Sequence, residues 1–138
     1  MFLKFVGKYR DFGLLLTRLG IGFLYVYLHG GPKLLGGPAK WAEVGKAVGA
    51  LGIHFAPTFW GFMAAFAETA GGICLILGFV FRPACLFLIS TMFVAASMSL
   101  DKGGLFDAAW PIENALFLIG LFFVGPGKYS VDSKLNKV

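Results

Sequence analysis

Charge is what this sequence has least of. Asp, Glu, Lys and Arg make up 14% of its 138 residues, against about 25% in soluble domains. That is too little to cover a water-exposed surface, which excludes an ordinary soluble globular domain. Cysteine is scarce as well: only Cys74 and Cys85 occur, and they form no Cys-x-x-Cys. A thiolate metal site and covalent haem attachment are therefore not expected. Nor is a disulfide, which needs Cα atoms within about 7 Å, because the two cysteines fall at different depths. Histidine is limited to His29 and His54, both outside the long apolar runs. Bis-histidine haem ligation across a bundle is thus not expected, and neither is a metal site. A Gly-rich nucleotide loop is missing too. The net charge of +5 is carried on the flanks of the apolar runs and does not point to nucleic acid.

Apolar and aromatic residues fill the space. Hydrophobic residues reach 58%, with 16 phenylalanines, and the mean hydropathy is +0.80. Four apolar runs stand out: Phe12–Leu28, Pro57–Val80, Ala84–Leu100 and Ala109–Val124. A bilayer core of about 30 Å takes about 20 helical residues, so the last run is short and needs local thinning or protein cover at one end. The expected fold is all-α: an integral membrane four-helix bundle, one domain over residues 1–138, surrounded by lipid. Arg18 interrupts the first run and no small-x-small cleavage site follows, so that run reads as an uncleaved helix. The one long connection is His29–Ala56. Its GGPKLLGGP stretch is rich in helix breakers and reads as a loop. In Lys40–Leu51 the apolar Trp41, Val44, Val48 and Leu51 recur at helical spacing, which predicts a short amphipathic interfacial helix between helices 1 and 2. Asp101–Asp107 reads as a short loop and Lys128–Val138 as a polar tail.

Basic residues orient the bundle. Lys4, Lys8, Arg10, Arg82, Lys128, Lys134 and Lys137 flank one side, and Lys33, Lys40, Lys46 and Lys102 the other. This bias predicts both termini in the cytoplasm of a prokaryotic cell, with the chain in its inner membrane. Trp41, Trp60 and Trp110 fall at the outer boundary, and Tyr9 and Tyr129 at the inner one, as interfacial belts do.

Few residues are equipped for chemistry. Arg18, Gly22, Tyr25 and His29 follow one another at i, i+4, i+7 and i+11 and share a helical face. Glu68 stands alone in the second run, with Gly71 and Gly72 on its side. A lone acid at membrane depth costs several kcal/mol unless it is paired, protonated or wet. Measured from the outer boundary, Arg18 lies roughly 16–18 Å deep, Glu68 roughly 16 Å and Glu113 about 6–8 Å. The expectation is a polar ladder: His29 at the rim, Tyr25 with Glu113 below it, Arg18 paired with Glu68 at the bottom. One reading of the ladder is a buried ion pair that fixes helix register. The other is a pocket for a small anion or a quinone head group, with Arg18 on its oxygen, Glu68 and Glu113 passing protons, and Tyr25 and His29 lining it.

Two groups of residues carry a resemblance. One is Arg18-x-Gly20-x-Gly22, followed by His29-Gly30 and Lys33. The other is Glu68-x-x-Gly71-Gly72, followed by Gly78 and Arg82. With Glu113 and the close Gly125-Pro126-Gly127-x-x-Ser130-x-Asp132, the chain resembles the DoxX family over nearly its whole length. The resemblance implies a small four-helix membrane protein, akin to a subunit of a thiosulfate:quinone oxidoreductase. It also implies Arg18, Glu68 and Glu113 as the polar centre, with Lys33 and Arg82 setting loops and topology. The function expected first is a subunit of, or partner to, a quinone-linked oxidoreductase, with quinone as its non-covalent cofactor and other protein subunits as partners. The alternatives are a structural or assembly subunit of a larger complex and, third, a small-solute carrier, which at this length needs a homo-oligomer to build a path.

Overall fold

A computed structural model describes residues 2–135, so Lys137 and its place in the charge bias lie outside the described residues. Every regular element among them is helical: α1 (Lys4–Leu35), α2 (Gly37–Gly45), α3 (Pro57–Leu77), α4 (Phe81–Val124) and α5 (Val131–Lys134). Three of these, α1, α3 and α4, are long and apolar enough to cross a membrane.

Helix α1 outruns its apolar stretch. It opens as a 3-10 turn over Lys4–Tyr9, is α-helical through Arg10–Leu24, widens to a π-helix over Tyr25–Gly30, and tightens again through Gly31–Leu35. The GGPKLLGGP segment is therefore mostly helix, not the expected loop. Pro32 and Pro38 each stand in the first turn of a helical piece, where the missing N–H would have had no partner. The single break falls at Gly37, whose φ of +77° suits only glycine.

The expected interfacial helix is also altered. Its first part belongs to α2, and Lys46–Leu51 is a 3-10 turn. Helix α2 packs backbone to backbone on α3. A Cβ on Gly45 would collide with the Pro57 carbonyl, and one on Gly61 with the Trp41 carbonyl. The apolar side of the segment is used against the protein itself.

Helix α4 spans 44 residues, about 66 Å if straight, or twice a bilayer core. It is not straight. Gly104 is non-helical (φ 73°, ψ −158°) and separates two arms. Arg82 near the start of α4 donates from Nε to the carbonyl of Phe122 near its end, at 3.1 Å, so the arms run back alongside each other. The expected Asp101–Asp107 loop is thus reduced to one residue out of helical conformation. Both arms share a core with α1 and α3, made of Tyr25, Leu75, Phe81, Cys85, Leu88, Met92, Leu118 and Leu121.

Glycines bring α1 against α3. A Cβ on Gly22 would stand 2.6 Å from the Gly72 carbonyl oxygen, and one on Gly30 would stand 2.8 Å from the carbonyl carbon of Glu68. Small residues at such a crossing let helix backbones meet in an apolar surround.

The segment after α4 is no free tail. Ser130 caps α5, accepting from the Ser133 N–H at 3.1 Å. The buried Asp132 carboxylate accepts from the N–H groups of Val80 (3.0 Å) and Phe81 (2.9 Å), closing the N-terminus of α4. It also holds Val80 in the left-handed region, at φ 46°, which a β-branched residue rarely adopts.

Candidate functional site

Among the described residues Arg18, Glu68 and Asp132 are buried charges, and Arg18 and Glu68 do not meet. Arg18 is 1% exposed. Its Nε donates to the Leu75 carbonyl at 3.1 Å and Nη1 to Pro126 at 2.6 Å. Nη2 donates to Ile76 at 3.2 Å and to Tyr129 at 3.0 Å. Leu75 and Ile76 belong to the last turn of α3, where carbonyls run short of intrahelical partners; that of Leu75 also accepts from the capping Gly78 N–H at 3.2 Å. Arg18 therefore ties the C-terminus of α3 to the loop after α4. The expected Arg18–Glu68 pair does not form. Matched depths for Arg18 and Glu68 require α1 to end at Leu28, whereas α1 continues to Leu35. Seven further residues move the origin by about 10 Å, which sets Arg18 about two turns of α3 away from Glu68.

The partner of Glu68 is Lys33. Its Nζ lies 2.7 Å from Oε2 and 3.0 Å from Oε1, and the Lys33 side chain is 27% exposed against 4% for Glu68. Lys33 reads as a loop residue in the sequence, whereas it lies in α1. The signal was nonetheless present: with Pro32 read as a helix-starting proline, Lys33 falls one turn beyond His29 on the same face. Trp41 of α2 fixes this turn by donating from Nε1 to the Lys33 carbonyl at 3.0 Å. Gly30 provides the close approach that brings Lys33 over α3.

An aromatic pocket is built on the same helix that carries Lys33. Its volume is about 160 Å³, and its lining includes Tyr25, His29, Trp110 and Asn114 with Leu24 and Leu28. The His29 ring sits between those of Tyr25 (5.8 Å between centroids) and Trp110 (4.9 Å). Tyr25 is 2% exposed, and its buried hydroxyl has no hydrogen-bond partner among the described residues. Tyr25 and His29 also fall within the π-helical turn, a distortion that recurs at functional sites. The expected partner at this level, Glu113, is exposed. Asn114 lines the pocket in its place, since one residue along a helix turns the side chain by about 100°.

The gathered groups suit a flat ring bearing an oxygen. A phenol with no partner among the described residues offers a donor and aromatic rings offer a wall, while the Lys33–Glu68 pair stands outside the lining. Among the described residues, no group of three or more His, Cys, Asp or Glu side chains is placed to hold a metal ion.

The DoxX family model matches residues 13–100. The chain belongs to the DoxX family. With its apolar helices, this makes it a multi-pass membrane protein. The DoxX match takes in Arg18, Tyr25, His29, Lys33 and Glu68 and stops short of Trp110 and Asn114. No curated protein and no solved structure matches the chain.

Proposed function

We propose that this DoxX protein is a small membrane subunit of, or partner to, a quinone-linked oxidoreductase, and that the pocket at Tyr25 and His29 receives the quinone ring. The observation that carries the reading is the Tyr25 hydroxyl, buried without a partner. Such a group costs about 1–3 kcal/mol until something accepts from it, and a quinone carbonyl is an acceptor. The pocket, at about 160 Å³, is smaller than the roughly 300 Å³ of a drug-sized ligand site. It suits one ring, with an isoprenoid tail left in lipid beside Leu24 and Leu28.

A bound quinone would supply the two-electron acceptor. The protein's own residues would orient it and handle protons: Tyr25 donates to one oxygen, the adjacent His29 and Trp110 line one side of the ring, and the Lys33–Glu68 pair is the candidate for passing protons. Electrons would come from a partner subunit. Arg18 and Glu113, the other members of the expected polar centre, are left out, the first because its donors are committed and the second because it faces away. The same reading takes the two arms of α4 as separate spans. It thus gives four spans, with both termini on the cytoplasmic side of a prokaryotic inner membrane.

Affinity purification in mild detergent, with mass spectrometry of bound lipid and co-purifying proteins, tests the proposal. Stoichiometric quinone together with a redox subunit is expected, and Tyr25→Phe and Glu68→Gln should each lower the bound quinone. Protein free of quinone, recovered with a large complex whose cofactors all lie elsewhere, would transfer support to the structural-subunit reading. The engagement of Arg18 by backbone alone already favours that reading for the other end of the bundle.

A further inference from the structure

A second concave site lies at the end that carries the terminal segments. It is a cleft of about 370 Å³ lined by Lys8, Tyr9, Asp11, Phe12, Lys128 and Tyr129. Its two walls come from opposite ends of the chain and are fastened together. Asp11 Oδ1 accepts from the Lys128 N–H at 3.0 Å, and the adjacent Arg10 donates to the Val124 carbonyl at 3.5 Å. The lysines are arranged alike: Lys8 Nζ lies 4.9 Å from the centre of the Tyr9 ring, and Lys128 Nζ lies 4.9 Å from that of Tyr129. Ring faces hold the ammonium groups without neutralising them.

Neither lysine has a carboxylate within ion-pair distance among the described residues. The acids of this end are already engaged, Asp11 by a backbone N–H and Asp132 by two. Two lysines without an ion-pair partner among the described residues, set against the single carboxylate of Asp11 in the same cleft, leave a positive excess that calls for an anion with several oxygens. Phe12 of the cleft is half exposed, and Leu16, one helical turn further along α1, is exposed as well, a surface suited to hydrocarbon. Lysines and tyrosines at this level meet the headgroup zone of a bilayer.

We propose that this cleft binds the phosphate of an anionic phospholipid, with Lys8 and Lys128 on its oxygens and the acyl chains along Phe12 and Leu16. The site is separate from the pocket at Tyr25 and His29, so either can fail without the other.

The test is native mass spectrometry of the full chain released from nanodiscs containing equal phosphatidylglycerol and phosphatidylcholine, followed by titration with inorganic phosphate in detergent. The wild-type protein is expected to retain phosphatidylglycerol in preference. Lys8→Gln/Lys128→Gln, matched to wild type in thermal stability, should lose roughly tenfold or more of that preference. Lys40→Gln/Lys46→Gln, at the other end, should keep it. Equal retention of the two lipids by wild type would overturn the proposal, as would a preference unchanged in the Lys8/Lys128 variant. Displacement of the lipid by millimolar inorganic phosphate would also overturn it, since the source would then be a soluble phosphate.

Discussion

Arg18 and Glu68 are both buried charges, at 1% and 3% exposure, but they are satisfied in opposite ways. Arg18 gives its guanidinium fork to four backbone carbonyls from two segments. Those acceptors are parts of the fold and cannot be exchanged, so the charge serves as a rivet. Among the described residues Glu68 has one side-chain partner, a partly exposed lysine on a flexible stem, and the buried phenol of Tyr25 has none. That arrangement leaves room for a change of partners. In a bundle this small, burial of a charge does not by itself mark function. Whether its hydrogen bonds are filled by backbone or by movable side chains is the more useful distinction.

The contrast is most severely tested at Arg18. Arg18→Ala strands several buried carbonyls and is expected to cost roughly 3–5 kcal/mol, or to abolish folding, as read by thermal unfolding in detergent. Arg18→Lys should recover little of this, because an ammonium has no planar fork. At the opposite end, Gly61→Ala drives a methyl into the Trp41 carbonyl and should cost about 1–3 kcal/mol by overpacking. It should also loosen the turn that carries Lys33, seen as faster proteolysis between α1 and α3. For the ion pair, Lys33→Met or Glu68→Gln alone should destabilise by more than the double substitution does, with a coupling of about 1–3 kcal/mol in a double-mutant cycle. Asp132→Ala removes the cap on α4 and should cost about 1–2 kcal/mol. It should leave quinone retention unchanged, which separates the two ends.

Much of this architecture was legible in the sequence, because hydrophobic run length and helical periodicity are local signals. The four apolar runs correspond to α1, α3 and the two arms of α4, and the shared face of Arg18, Gly22 and Tyr25 is the buried face of α1. What was not legible depended on register. A π-helical turn and seven helical residues past Leu28 shift α1 along α3, and that shift exchanges Arg18 for Lys33 opposite Glu68. The Gly/Pro content of GGPKLLGGP concealed the extension, since a proline in a first turn and a proline in a loop look alike in one dimension. Asp132 was hidden in the same way. Its carboxylate serves helix N–H groups some fifty positions earlier, and nothing local announces so distant a cap. Glu113 shows the finest grain of error, since the right level with the wrong facing is a displacement of one residue.

The smallest structural change bears most directly on the division between a riveted end and an adaptable one. Tyr25→Phe removes only the hydroxyl that lacks a partner. Thermal stability and bound quinone should be measured on the same preparation. The expected result is a melting temperature equal to or slightly above wild type, because a buried unpaired group has been deleted, with quinone retention reduced about tenfold, the worth of one hydrogen bond of about 1.4 kcal/mol. A fall in stability with quinone retention unchanged would contradict the division, for the hydroxyl would then belong to the fold and not to a ligand.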